Sequence, residues 1–261
     1  MRRLRQLGLV RDTARLVLAP VTVRRRVPGT LYRVRFPAAQ YLGWISVRGM
    51  KHEENIAQHF RDHIHPGDTV VDVGANVGRY TLLASDLVGP SGHVHAFEPD
   101  PQSMYYLLST VHRNRLTGRV TLWNEAASDR TANAELFLDL KTARTTSLKA
   151  DAFSPDKQVR QPIVVGTARL EDVITQPPQF IKIDVEGAEL AVLEGASRLL
   201  RDYHPVVLVE VLPENLPSVT ELLGSLGYSL ADAGSGTALG SGEYTGDVLA
   251  VPVRKPVTSG V

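Results

Sequence analysis

Two segments far apart in the chain repeat one scheme: an apolar strand, an acid at its tip, a turn with glycine, and a helix. They read DTVVDVGANVGRYTL at residues 68–82 and FIKIDVEGAEL at 180–190. The mostly apolar Val70–Val73, with Asp72 its one polar residue, predicts a strand buried on both faces, as parallel strands between helices are. A glycine turn joining such a strand to a helix brings backbone N–H groups and the positive helix end close to a ligand. The pair commits the chain to an α/β sheet with a binding edge.

The rest of the pattern agrees. Predicted strands at 69–73, 93–97, 119–123, 180–184, 205–211, 227–231 and 247–252 alternate with helices at 77–87, 101–114, 187–201 and 214–225. Such alternation predicts a doubly wound, mostly parallel sheet. Upstream, 31–36 and 43–47 read as a hairpin, and 53–64 as a helix with Ile56, Phe60 and Ile64 on one stripe. The regular alternation lapses between 124 and 179, where 135–138 and 163–165 look like extra strands and the polar stretch 139–160 like a surface insertion bordering a substrate site. The predicted layout is an arm at 1–35, an extension at 36–66 and a main domain at 67–255.

Charge is unevenly spread. Residues 1–35 hold ten arginines against the single acid Asp12, a net of +9; the whole chain carries +1, so the remainder carries −8. Leu4, Leu7, Val10, Ala14 and Val17 recur at helical spacing within this arm. A helix resting on an anionic membrane through residues 1–26, or a solvated leader packed on the domain, both fit that pattern. Nucleic acid is a weaker candidate partner, because the body is acidic and lacks an Asn/Asp-Pro-Pro-Tyr/Phe-type motif for stacking a base. Arginines interrupt any secretory signal, and no uncharged apolar run is long enough to span a bilayer. With no cysteine, disulfides and thiolate chemistry are excluded, and a cytoplasmic setting, with or without membrane association, is the expectation.

Chemistry concentrates at predicted strand ends. Asp72, Gly74, Asn76 and Gly78 form the first turn; the glycine spacing of a dinucleotide fingerprint and the phosphate-loop Gly-Lys-Ser/Thr ending are both missing. An acidic turn suits a ligand bearing positive charge beside a carboxylate, and S-adenosyl-L-methionine has that chemistry. Glu98 ends the next strand, HVHAFEP, where a carboxylate accepts both hydroxyls of a ribose. Asn124, Glu125 and Ala126 follow the third strand, beside the expected adenine. Asp184, Glu186 and Glu210 are candidates to take a proton from an acceptor; Glu186 and Glu189 also fit a helix amino end. His52, His59, His63 and His65 read as surface or helix residues, and no metal-ligand spacing stands out.

VDVGANVGRYT, AFEP and FIKIDVEGAE resemble the signature blocks of the FkbM-type branch of class I S-adenosylmethionine-dependent methyltransferases. The resemblance covers roughly residues 50–212, with KIDVEGAE its specific block. It implies a Rossmann-like seven-stranded sheet whose last strand is antiparallel. It also implies S-adenosylmethionine as cofactor and O-methylation of a hydroxyl on a small molecule, glycan or glycolipid. Asp72, Gly74, Asn76 and Gly78 fall in the implied cofactor turn, Glu98 at its ribose acid, and Asp184 at the fourth strand's tip. LEDV at 170–173 is similar to a family leucine–aspartate step, with Glu171 in place of the usual Asp. A nucleic-acid methyltransferase and a non-catalytic binding protein on the same fold are the alternatives.

Overall fold

The structure is a computed structural model that describes residues 21–38, 47–138, 146–148, 162–239 and 244–253. Its centre is a sheet built from β3 (Thr69–Val73), β4 (His93–Phe97), β5 (Val120–Trp123), β10 (Phe180–Ile183), β11 (Val206–Glu210), β12 (Tyr228–Asp232) and β13 (Asp247–Pro252). The strand order is β12-β13-β11-β10-β3-β4-β5. The run from β11 to β5 is parallel, whereas β13 lies antiparallel between β11 and β12. This is the Rossmann-like class I methyltransferase arrangement that the alternation and the resemblance anticipate.

Alternation along the central strands sorts two cores. Val70 and Phe180 point to one face, where α1 (Val47–His63), α2 (Arg79–Leu87) and α3 (Pro101–Arg113) cover them; Ile56, Phe60, Ile64 and Leu107 complete that layer. Val71, Val73, Ile181 and Ile183 point to the other, against α4 (Leu170–Val173), α5 (Glu189–Glu194), α6 (Ser197–Tyr203) and α7 (Leu216–Ser225). Asp100 caps α3 by accepting from Ser103 N–H at 2.9 Å, with Pro101 in the first turn. The chain runs outward through β3, β4 and β5, then returns through β10 and β11. The reversal point therefore falls between β3 and β10, where open α/β sheets hold ligands.

Three local expectations need correction. Residues 33–37 do form a strand, β2 (Arg33–Pro37), and it pairs with β1 (Thr22–Arg26). Val47 opens α1, and 43–46 lie outside the described residues. Strand β1 was hidden because three successive arginines mask any alternation, whereas β2 shows it through buried Val34 and Phe36. The hairpin packs on α3, with Arg35 N–H donating to Thr110 Oγ1 at 3.1 Å, so it crosses the expected border at 35/36. The predicted helix 187–201 is two helices, α5 and α6. At the break, a Cβ on Gly195 would lie 1.9 Å from the Ser128 carbonyl oxygen, so the chain passes too closely for any other residue.

The extra strands lengthen to β7 (Ala132–Leu138) and β9 (Ile163–Ala168), which pair with each other and join β6 (Ala126–Ala127) and β8 (Thr146–Ser147) in a small side sheet. Most of the 139–160 insertion, and residues 1–20 of the arm, lie outside the described residues. Among the described residues no helix is long and apolar enough to cross a membrane. Gly195 has φ −69°, which any residue adopts, so Gly195→Ala tests space alone. It should cost about 1–3 kcal/mol or more in urea denaturation; a wild-type midpoint would contradict the close-approach explanation.

Candidate active site

The carboxyl ends of β4, β3, β10 and β11 stand side by side, and they gather the acids singled out from sequence. Glu98 lies just past β4, the Gly74–Gly78 turn follows β3, Asp184 and Glu186 follow β10, and Glu210 ends β11. Asp247 starts the antiparallel β13 opposite Glu210, at the same edge.

The glycine turn is built by contacts within the protein. Gly74 has φ +77°, and a Cβ there would lie 1.9 Å from the carbonyl oxygen of Asp184; the two site loops cross at this point. Gly78, at φ +95°, packs against Leu107 of α3. Asn76 and Glu186 also take positive φ, +50° and +47°, uncommon for residues with a side chain. The turn's N–H groups are largely spent. Gly74 and Ala75 both donate to Phe97 O at 3.0 Å, Gly78 donates to Ala75 O at 2.9 Å, and Asn76 donates to Glu98 Oε2 at 2.8 Å. Amides committed this way make no phosphate cradle, which corrects the expectation of N–H groups aimed at a ligand.

Asp72 is fully buried and lies on the same strand face as Val70, beneath α2. Thr81 Oγ1 donates to its Oδ2 at 2.6 Å. In register beside it on β10 stands Lys182, a residue the sequence reading passed over. The Lys182 ammonium lies 3.8 Å from Asp72 Oδ1, donates to Asp184 Oδ2 at 2.9 Å, and sits 5.1 Å from the centre of the Tyr80 ring. Burial alone lowers the lysine's pKa, but Asp184 and Asp72 outweigh it and hold the group charged. Burial raises the pKa of Asp72, with Lys182 and Thr81 acting against it. A lysine inside the otherwise apolar Phe180–Ile183 was the available signal, because a buried cation demands an acid in reach.

Glu98 is preset. Its Oε2 accepts from Asn76 N–H and its Oε1 from Asp100 N–H at 2.9 Å, so each oxygen keeps lone-pair capacity for a further donor. Burial pushes its pKa up to about 8 against the pull of those two amides. Glu210 differs: its side chain opens to solvent and hydrogen-bonds Asp184, whose charge, followed by burial and Asp247, raises its pKa. Asp184 thus accepts from Lys182 on one side and meets Glu210 on the other. Glu189, buried, clamps the second turn by accepting from Gly187 N–H at 2.7 Å and Asn215 Nδ2 at 2.6 Å.

The side chain of Asn124 braces the loop after β4, donating to Glu98 O at 2.9 Å. Glu125 stands beside Gly166, and Ala126 is buried in the small sheet with Leu136 and Val165. Glu171 accepts from Arg198 N–H at 2.8 Å and pairs with Arg169, joining α4 to α6. His59 contacts the Ala233 carbonyl and stacks on His63, while His65 is exposed near Asp68. Among the described residues no group of three or more His, Asp or Glu is placed to hold a metal ion.

The sheet order and the acid-lined switch point define a class I methyltransferase. Residues 72–230 match the methyltransferase FkbM domain, and the chain belongs to that family. It is 32% identical over 166 residues to the 31-O-demethyl-FK506 methyltransferase FkbM of Streptomyces tacrolimicus, covering 51% of this chain and 61% of that protein. To the hexuronic acid methyltransferase AglP of Haloferax volcanii it is 23% identical over 192 residues, 74% of this chain and 76% of that one. The crystal structure of methyltransferase FkbM from Methylobacillus flagellatus superposes with a TM-score of 0.51 at 18% identity, covering 75% of this chain and 50% of that one.

Two measurements probe this electrostatic layout. Between the ordinary carboxylate range and about pH 8 the folded protein holds a Glu98 proton that the unfolded chain has lost, so stability falls as pH rises through that window. Glu98→Gln removes the effect; its urea midpoint relative to wild type should be higher at about pH 9 than at about pH 5. Lys182→Met should cost about 3–5 kcal/mol by stranding buried Asp72, and adding Asp72→Asn should recover part of it. Equal stability of the single and double variants would dissolve the pairing.

Proposed function

We propose that this protein is an S-adenosylmethionine-dependent O-methyltransferase acting on a hydroxyl of a small-molecule or sugar-containing acceptor. The observation that carries the reading is Glu98: buried, held by two amides, and next to a turn whose own N–H groups are committed. An acid so placed receives ribose hydroxyls, while a pyrophosphate finds no free donors at Gly74, Ala75, Asn76 or Gly78. The edge is acidic through Asp184, Glu186 and Glu210, which favours a ligand carrying ammonium and sulfonium charge. The O-demethyl substrate in the name of the Streptomyces relative supports oxygen as the acceptor atom.

When bound, S-adenosylmethionine supplies a methyl group activated by positive sulfur. Gly74–Gly78, Glu98 and the Asp184–Glu186 turn would hold it. Holding the acceptor oxygen in line contributes roughly 7–11 kcal/mol of the barrier reduction. The acceptor hydroxyl must also lose a proton, and the Asp184–Glu210 pair offers an ionised carboxylate to take it. Lys182 fixes that carboxylate in place through the 2.9 Å contact.

Calorimetry with S-adenosylmethionine should show saturable binding that Glu98→Ala weakens at a temperature where circular dichroism shows the variant still folded. Wild-type affinity in that variant would remove the ribose assignment. With labelled methyl donor at saturating concentration and an acceptor panel, Asp184→Asn should lower kcat about 10²–10⁴-fold; undiminished turnover would clear Asp184 of the proton-accepting role.

A further inference from the structure

One face of the β1–β2 hairpin works against its own pairing. Val34 and Phe36, both buried, and the partly buried Val23 point into the core, so the alternate positions point outward. Those positions hold Arg24, Arg26, Arg33 and Arg35, and the strand register sets Arg24 opposite Arg35 and Arg26 opposite Arg33. Like charges directly opposite each other destabilise a strand pair. Residues 21–38 contain no Asp or Glu to relieve them. No ion pair among the described residues includes any of the four.

Helix α3 extends this face. Arg35 Nη1 donates to Ser109 Oγ at 3.0 Å, and Arg113 Nε donates to the same oxygen at 3.3 Å. Residues 101–119 contain no Asp or Glu either. The Arg35 guanidinium also lies 5.9 Å from the centre of the Tyr105 ring. Tyr105 and Leu108 are exposed, and Leu31, in the turn between the two hairpin strands, is 80% exposed. Guanidinium groups without acids thus stand beside bare apolar side chains.

That combination suits the boundary of an anionic bilayer. Guanidinium groups meet lipid phosphates there, while Leu and Tyr side chains enter the edge of the acyl region. Nucleic acid makes less use of it, because phosphate contacts come from basic and polar groups and leave an exposed leucine idle. The chain reaches β1 from residues 1–20, where Leu4, Leu7, Val10, Ala14 and Val17 recur at helical spacing among further arginines, so the pairing of charge with apolar residues continues in sequence.

We propose that the outer face of the hairpin, with Leu31 at its turn and Tyr105 and Leu108 of α3, docks the protein on an anionic lipid surface. Docking neutralises the arginines that the fold leaves facing one another. The assignment stands independently of the methyltransferase reading.

The full chain is pelleted with vesicles of phosphatidylcholine alone and of phosphatidylcholine and phosphatidylglycerol in equal parts. It should bind the second and not the first, and be released as salt rises from about 0.1 M to about 1 M. Arg33→Gln should weaken binding about fivefold, and Arg24→Gln/Arg33→Gln about 25-fold. Leu31→Ser should weaken it without changing its salt dependence. Arg201→Gln, exposed on α6 across the sheet, makes the same charge change and should bind like wild type. Both arginine variants should unfold in urea no earlier than wild type, since they remove facing like charges. The proposal is overturned if anionic vesicles are not bound, or if Arg201→Gln weakens binding as much as Arg33→Gln. It also falls if the hairpin variants bind like wild type, which would leave attachment to residues 1–20 alone, or if they unfold earlier, which would make the arginines structural. A labelled RNA duplex is titrated alongside; tighter binding to it, lost in the same variants, would overturn the lipid assignment.

Discussion

One buried cation organises this molecule. Lys182 is set in β10 directly beside Asp72 of β3, and its ammonium also holds Asp184 at the tip of its own strand. Removing an ammonium from water is costly, so the group persists only where acids and a polarisable ring surround it. Tyr80 and Thr81, from the first turn of α2, complete that surround. Strand pairing, helix docking and the crossing of the two site loops at Gly74 thus depend on one another. The tip of the sheet behaves as a single electrostatic unit.

The acids of this edge show how environment assigns roles to one functional group. Asp72 is sealed below the surface and accepts from Thr81. Glu98 is enclosed but held by amides, ready to receive hydroxyls from outside. Asp184 and Glu210 meet at the open rim, where Lys182 holds the first and the charge of the first raises the pKa of the second. Glu189 has withdrawn into a turn. Pushing the pKa values of neighbouring carboxyls apart is how a site keeps an acid and a base together at one pH.

Much of this was legible in the residues. Mostly apolar runs located the central strands within a residue or so, because burial on both faces leaves little freedom of composition. Glu98, Asp184 and Glu210 were visible for the same reason, standing where each mostly apolar run ends. What escaped was whatever depends on a partner distant in sequence. Lys182 reads as a stray charge until β3 is placed next to it. The burial of Asp72 beneath α2 shows only once strand alternation and the Thr81 contact are in place. Gly195 reads as a helix residue because nothing nearby reveals that the Ser128 carbonyl passes over it. Strand β1 is held by its hairpin partner rather than by any pattern of its own.

The insertion of β13 between β11 and β12 bears on how the chain is made. Strands β11 and β12 are never hydrogen-bonded to each other; both wait for residues 247–252 to arrive. A ribosome-bound chain lacking that segment exposes two unpaired strand edges, each rich in valine, leucine or alanine. Such edges recruit other chains as readily as their own. Biosynthesis therefore carries an interval of vulnerability to aggregation, which ends when the late strand slides into the gap and closes it from both sides.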